Sequence, residues 1–278
     1  MVLKSYAKIN LSLRVNSRTV NGLHEIQSLY CLINLSDNIK ICKIKDNKDK
    51  ISFKGPFKNF IKKKNNTVIN LLKLLRQHKL ISNYYYVSVK KNIPVFGGLG
   101  GGTSNAAFIL NYLVKDKVSK KLFKKLEGII GSDLKLFFKG QGFLRDLNSI
   151  FDIRRKQKLY FALIQPKIKC STKEIYSKVK KYSKKEKFNI KKIDSKRKLI
   201  NYLRENKNDL QFIVEKKYPI IKKILKDIGK VEGCYYSRIT GSGSVCYGLF
   251  KDQISAKKAI YKLKFKYPKF WISFAKTV

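Results

Sequence analysis

Histidine, methionine, tryptophan and proline are scarce in this 278-residue chain, at two, one, one and five residues. With only His24 and His78, and no C-x-x-C pair among Cys31, Cys42, Cys170, Cys234 and Cys246, zinc-ligand spacing is missing and no metal site is assigned. Five cysteines, odd in number and far apart, do not form a disulfide framework either, so buried reduced thiols are expected. No apolar run reaches the roughly 18 residues of a membrane helix. Met1 to Tyr6 shows no secretory or transit pattern. The expectation is a soluble, cytoplasmic protein without a membrane partner.

Negative charge is also sparse. Eighteen acidic residues face 63 basic ones, for a net charge of +45 and a pI near 10.1. Such a balance raises nucleic-acid binding first. Only nine of the basic residues are Arg, however, the residue suited to bidentate phosphate and base contacts. The lysines spread along the whole chain, with local runs at Lys62-Lys63-Lys64 and from Lys178 to Lys187, where Tyr182 is the lone aromatic. Tyr261, Phe265 and Tyr267 alternate with lysines as a base-stacking platform would, but Ala259, Ile260 and Leu263 among them favour an apolar helix face. A solvated lysine-rich surface, with no specific nucleic-acid partner, is the expectation.

What is present supports a folded core. Apolar residues make up 44 % of the chain, enough to exclude disorder from low hydrophobicity. The length fits two domains, with a boundary placed near 155, giving 1–155 and 156–278. Residues 7 to 15 alternate apolar and polar, which predicts one strand carrying Lys8 and Asn10 on its polar face. Asn21-Gly22 signals a turn into a second strand near 26–33. A helix is read at 68–75 and a strand at 84–89, closed by Pro94. Beyond a glycine cluster, Thr103 and Ser104 cap a helix; another helix follows at 118–129, and Gly131-Ser132-Asp133 opens a short one through Phe138. A strand at 159–165 precedes a lysine-rich helical section from 173 to about 226. Strands at 233–239 and 244–250, a helix at 255–265 and a strand at 270–275 complete an α+β chain without internal repeats.

Five glycines fill six positions in Gly97-Gly98-Leu99-Gly100-Gly101-Gly102-Thr103-Ser104, between a strand and a helix. Bare backbone approaches an anion closely, and helix N-terminal N–H groups point at it, so a phosphate cradle is the physical expectation. A ligand-free flexible loop is the alternative. A P-loop is excluded because Thr103, not Lys, follows the last glycine; the dinucleotide fingerprint is excluded by its spacing. Gly241-Ser242-Gly243-Ser244 reads as a second small-residue turn, a hairpin connection or a further ligand loop. Asp133 either complements a helix dipole or accepts a proton from a substrate hydroxyl. Lys8 is one lysine of 54 or part of a polar site with Asn10.

Together these segments resemble a known family. S-Y-A-K-I-N-L-S-L-R-V at 5–15 and N-G-L-H-E-I-Q-S at 21–28 are similar to the N-terminal signature of the 4-diphosphocytidyl-2-C-methyl-D-erythritol kinase family, within the GHMP kinase superfamily. I-P-V-F-G-G-L-G-G-G-T-S-N-A-A at 93–107 resembles its phosphate motif, and I-G-S-D-L-K-L-F-F at 130–138 its catalytic segment. P-K-I-K-C-S-T-K-E-I-Y at 166–176 and I-T-G-S-G-S-V-C-Y at 239–247 resemble its C-terminal motifs. The resemblance implies a domain like the second domain of ribosomal protein S5, then a ferredoxin-like domain, with the site between them. It implies transfer of the ATP γ-phosphoryl group to the 2-hydroxyl of 4-diphosphocytidyl-2-C-methyl-D-erythritol. By matched position, Asp133 would be the base and Lys8 its partner. Pro94 and the loop Gly97, Gly98, Leu99, Gly100, Gly101, Gly102, Thr103 and Ser104 would hold ATP, with Thr103 or Ser104 near Mg²⁺. Asn10 and Thr172 would contact the polyol, His24 the cytosine edge and Tyr176 its face, while Gly241, Ser242 and Gly243 would approach substrate phosphates or the catalytic segment. The chain departs from the pattern in four places: Leu23 stands where the family usually has Tyr, Phe96 replaces a small residue, Lys135 replaces Pro, and the family's G-x-G-E stretch is not recognisable in Gln141 to Phe151. Another GHMP small-alcohol kinase and a basic RNA-binding protein with an S5-like fold are the alternative readings.

Overall fold

The computed structural model describes residues 2–20, 22–62, 64–115, 117–154 and 156–278. Asn21 of the expected turn, Lys63 of the lysine run and Arg155 at the expected boundary lie outside the described residues. In chain order the elements are β1 (Val2–Asn10), β2 (Arg14–Arg18), β3 (His24–Ile44), β4 (Lys50–Lys54), α1 (Thr67–Gln77), β5 (Tyr84–Lys90), α2 (Gly101–Val114) and α3 (Lys120–Ile130). They continue with β6 (Gln141–Leu144), β7 (Ile150–Asp152), β8 (Tyr160–Gln165), α4 (Thr172–Ser177), α5 (Lys196–Glu205), α6 (Gln211–Lys217) and α7 (Pro219–Gly229). The last are β9 (Cys234–Ile239), β10 (Cys246–Phe250), α8 (Gln253–Lys266) and β11 (Trp271–Lys276). No helix among the described residues is long and apolar enough to cross a membrane.

The chain forms two compact units, and neither is a continuous stretch. The first comprises Met1–Lys8, Leu35–Val95 and Gly100–Lys139; the second comprises Ile9–Asn34, Phe96–Leu99 and Gly140–Val278. The chain therefore passes from one unit to the other inside β1, inside β3 and inside the glycine run.

In the first unit the second half of β3 pairs antiparallel with β5, and β4 lies parallel on the other side of β5. Helix α1 forms because Val68, Leu71, Leu72, Leu74 and Leu75 recur at helical spacing and bury one face against α2 and α3. Asn66 caps it, accepting from the N–H groups of Val68 and Ile69. Lys91 and Asp37 are paired and fully buried, and Asp37 also accepts from Asn92 N and Ile93 N. This knot fixes the segment that enters the glycine run.

In the second unit the first half of β3 forms a hairpin with β2 and pairs with β6, which pairs with β7. Its antiparallel four-stranded sheet has the order β11-β8-β10-β9. Numbered by sequence this is 4-1-3-2 in a β-α-β-β-α-β chain, the ferredoxin-like arrangement. Phe161, Ala162, Leu163 and Ile164 are buried without alternation, because α7 and α8 pack against this sheet while Tyr247, beside Phe161 on the alternate face, reaches Asn10 O and Leu11 O. The buried Arg238 guanidinium donates to Leu11 O, Asn206 O and Leu203 O, tying β9 to residues far away in sequence.

Several sequence expectations need correction. The strand expected over 7–15 is interrupted: β1 ends at Asn10, and Leu11 N and Ser12 N both donate to Leu29 O before β2 begins. Thr103 and Ser104 do not cap α2 but sit inside its first turn, and the cap is Gly100. The continuous helical section from 173 is broken, because residues 178–189 run without helix along β2 and β3, held by Ser183 N to Val15 O and Glu186 N to Gln27 Oε1. Tyr261 and Phe265 do not belong to the buried face of α8; they are exposed, whereas Ala259, Leu263 and Tyr267 are buried. Cys42 is an exposed thiol, unlike buried Cys31, Cys170 and Cys246.

Candidate active site

The first unit brings together Lys8, Asp133 and the second half of the glycine run. Lys8 lies on β1 with its side chain only 4 % accessible, so it is not one of the surface lysines. Its Nζ is 3.2 Å from Asp133 Oδ2, and the Asp133 side chain keeps 31 % accessibility. Asp133 sits at the start of a 3₁₀ turn, Leu134–Phe138, whose Leu134, Leu136 and Phe137 are buried. The apolar anchors fix the turn and leave the carboxylate reachable. Gly100 takes a left-handed φ of 70°, and a Cβ there would lie 2.8 Å from Phe137 Cζ and 3.5 Å from Lys8 Cε. A backbone without side chain is thus pressed against the stem of the lysine and a buried ring of the turn that Asp133 opens. Gly101, Gly102 and Thr103 open α2 ahead of its first internal bond, from Ser104 N to Gly100 O at 2.8 Å. Their N–H groups form the positive end of a 14-residue helix.

The two hydroxyls of this turn differ. Ser104 Oγ is fully buried, donates to Tyr6 O at 2.6 Å and lies 2.7 Å from Ser5 Oγ. Thr103 is half-buried beside Gly131, where a Cβ would stand 2.9 Å from Thr103 Oγ1. Behind the turn, burial pushes the Lys91 ammonium below its ordinary range in spite of Asp37. Pro94, in the same unit, is buried directly after Ile93.

The second unit holds the remaining candidates. Gly97 and Gly98 pack on the 240–245 turn, and Leu99 after them is buried: a Cβ on Gly98 would come within 2.2 Å of Thr240 O, and its φ is 73°. Ser244 N donates to Phe96 O at 3.1 Å and Val245 N to Gly97 O at 3.3 Å, so two small-residue turns interlock. These bonds hold Phe96 at a positive φ of 56°, a conformation unusual for a bulky residue. Asn10 Nδ2 donates to Ser28 Oγ at 2.8 Å, and Asn10 N donates to Thr240 Oγ1 at 3.0 Å. Gly241 places its Cα hydrogens near Asn10 Oδ1. Thr172 Oγ1 and Ser242 Oγ are 2.9 Å apart. Cys170 Sγ donates to Ser242 O, and burial pushes its thiol up to about 11, so it supports the turn without acting as a nucleophile.

The His24 ring lies 5.0 Å from that of Tyr176, tilted by 39°. Partial burial and the Arg18 charge hold this imidazole below its ordinary pKa, which favours its neutral form. Sequence reasoning missed Thr240, Ser28 and Asn208, whose Nδ2 donates to Gly241 O at 2.8 Å; lone polar residues in strands and loops give no local signal. It also missed Phe137 as the contact of Gly100. A cavity of about 470 Å³ lined by Asp49, Ile69, Lys73 and Arg76 holds none of the candidates, and its Arg76–Asp49 pair is satisfied bidentately at 3.0 and 3.1 Å.

The chain is similar to known proteins over nearly its whole length. Residues 185–269 match the family model described as GHMP kinases C terminal. The 4-diphosphocytidyl-2-C-methyl-D-erythritol kinase of Pelagibacter ubique (strain HTCC1062) is 37 % identical over 283 residues, covering 99 % of this chain and 98 % of its own. The enzyme of that name from Wolbachia pipientis wMel is 31 % identical over 279 residues, with 97 % and 96 % covered. A crystal structure of 4-(cytidine 5′-diphospho)-2C-methyl-D-erythritol kinase matches all of both chains with a TM-score of 0.77 at 21 % identity. The fold is the α+β GHMP kinase fold, an S5 domain 2-like part followed by a ferredoxin-like part. On this sequence identity over nearly its whole length, the chain belongs to the 4-diphosphocytidyl-2-C-methyl-D-erythritol kinase family of GHMP kinases.

Proposed function

We propose that this chain transfers the γ-phosphoryl group of ATP to the 2-hydroxyl of 4-diphosphocytidyl-2-C-methyl-D-erythritol. The observation that carries the reading is the 3.2 Å Lys8–Asp133 pair, with Lys8 buried against Gly100 where α2 begins. Phosphoryl transfer asks chiefly for positioning and for stabilisation of charge on the equatorial oxygens. Asp133 accepts the hydroxyl proton as the oxygen attacks phosphorus. Lys8 holds that carboxylate in one orientation and adds a positive charge beside the transferring group. The N–H groups of Gly101, Gly102 and Thr103 receive phosphate oxygens of ATP, and the flanking Pro94 and Gly97 to Gly100 set the path of the loop.

In the second unit, His24 reads the cytosine edge and Tyr176 its face. Asn10, Thr172 and the turn Gly241, Ser242 and Gly243 address the polyol and its phosphates. Mg²⁺ fits as an ion carried by the nucleotide: no group of three or more His, Cys, Asp or Glu gathers among the described residues, and Mg²⁺ usually takes most of its ligands from phosphates and water. The half-buried Thr103 hydroxyl would hold it, since Ser104 is committed to Tyr6 and Ser5. Bound there, it would neutralise charge on the β- and γ-phosphates. Residues 1–155 are read as the ATP-binding domain and 156–278 as the C-terminal domain of an enzyme acting in the cytoplasm on dissolved substrates.

The test is ADP release with this substrate, homoserine and mevalonate, together with Asp133→Asn, which keeps an oxygen acceptor for Lys8. Turnover confined to the cytidylyl substrate is expected, with a loss of about 10²-fold or more in kcat in the variant. Equal turnover of homoserine or mevalonate, or unchanged kcat in Asp133→Asn, would overturn the assignment.

A further inference from the structure

We propose that Tyr182 is a base-stacking residue of this chain's nucleobase subsite, supplying the aromatic face that Leu23 cannot. The inference rests on the reading above, in which His24 and Tyr176 meet the cytosine. Position 23 is aliphatic and 55 % exposed, so it offers the base no π-face. Tyr182 comes from a different part of the chain, and its ring centroid lies 6.4 Å from that of His24 at a tilt of 34°. The His24 imidazole therefore has two tyrosines within stacking range, one carried by α4 and one by the 178–189 segment.

An aromatic in a lysine-rich, non-helical stretch could point anywhere if that stretch were loose. The segment is instead strapped to the strands that flank His24. Ser183 N donates to Val15 O at 2.8 Å, Asn16 Nδ2 donates to Ser183 O at 3.0 Å, and Ser183 Oγ donates to Asp209 Oδ2 at 2.7 Å. Three residues on, Glu186 and Gln27 exchange two bonds, at 2.7 and 3.0 Å, and Lys185 pairs with Glu25 at 2.8 Å. The backbone on the C-terminal side of Tyr182 is thus fixed, yet its side chain stays 44 % exposed. A large ring held in place by its backbone, and not by burial, leaves apolar surface ready for a flat partner. A pyrimidine is such a partner, and stacking tolerates an aromatic delivered from any direction. The lowered pKa of His24 alongside favours the neutral ring, which offers one donor and one acceptor to the base edge.

The experiment compares wild type with Tyr182→Phe, Tyr182→Ala and the double variant Tyr182→Ala/Leu23→Tyr. It measures KM for the cytidylyl substrate, KM for ATP and kcat, and titrates cytidine 5′-diphosphate into each protein by calorimetry. Tyr182→Ala should raise the cytidylyl KM and the cytidine diphosphate Kd about 5- to 150-fold and leave the ATP KM unchanged. Tyr182→Phe should behave as wild type, and Leu23→Tyr should recover at least part of the loss. Unchanged cytidine diphosphate affinity in Tyr182→Ala would overturn the proposal, as would a loss shared equally by ATP or a double variant with no recovery. If wild type turns over no cytidylyl substrate, the kinase assignment fails, while the titration still tests Tyr182 separately.

Discussion

Replacing Gly100 by alanine should disturb both the fold and the chemistry, by an amount the geometry bounds. Its φ of 70° places a Cβ in the left-handed region, which costs about 1–2 kcal/mol. That Cβ would also stand 2.8 Å from Phe137 Cζ, against about 3.5–4.0 Å for comfortable carbon contact. Phe137 is buried, so its ring must shift by roughly 0.7 Å or more inside a packed site, an overpacking cost of about 1–3 kcal/mol. The sum is a destabilisation of about 2–5 kcal/mol. Phe137 shares its 3₁₀ turn with Leu134, next to Asp133, so the strain reaches the carboxylate. Misplacement on the scale of an ångström can cost about 10²-fold in rate. Denaturant unfolding and steady-state ADP release would measure the two effects separately. Gly102→Ala is the internal control: a Cβ there meets nothing closer than 3.6 Å and needs no positive φ, so its stability should stay within about 0.5 kcal/mol of wild type. Equal unfolding midpoints for Gly100→Ala and wild type, with equal kcat, would refute the coupling of loop to carboxylate.

The two hydroxyls at the start of α2 should separate cleanly. Ser104→Ala should destabilise by about 1–3 kcal/mol, because Tyr6 O and Ser5 Oγ lose a buried partner, while the Mg²⁺ requirement holds. Thr103→Ala should do the reverse, leaving the unfolding midpoint alone and raising the Mg²⁺ concentration for half-maximal rate. His24 should titrate by NMR below the ordinary histidine value, and Arg18→Gln should move its midpoint upward; a wild-type midpoint at or above about 6.5 would refute the stated causes. The sign for stability follows: the unfolded chain binds the proton first, so this residue's contribution is present above that window and fades as pH falls through it.

Glycine density singled out the loop ahead of α2 in the sequence because a run of bare backbone has few structural uses. Alternation also announced β1, but it could not reveal the break after Asn10, since Leu11, Leu13 and Val15 keep the same rhythm across it and all are buried. Lysine suits a helix well enough that 178–189 reads as one; hydrogen bonds to Val15, Asn16 and Gln27 override that propensity, and they are invisible locally. The short strands β4, β6 and β7 carry too few residues for any period to emerge. Lys8 illustrates the remaining limit. Composition makes it one lysine of 54, and only its burial against Asp133, 125 residues later, distinguishes it.

The way the chain crosses between its units has a consequence for biosynthesis. By the time Lys139 has been added, every part of the first unit exists, whereas β2 and the early half of β3 still await most of their own unit. The acceptor at Leu11 meets the Arg238 guanidinium only after 227 further residues have been made. A ribosome that stalls anywhere in that interval leaves sticky strand edges uncovered, which makes translation speed between residues 140 and 240 a determinant of how much enzyme reaches its native state.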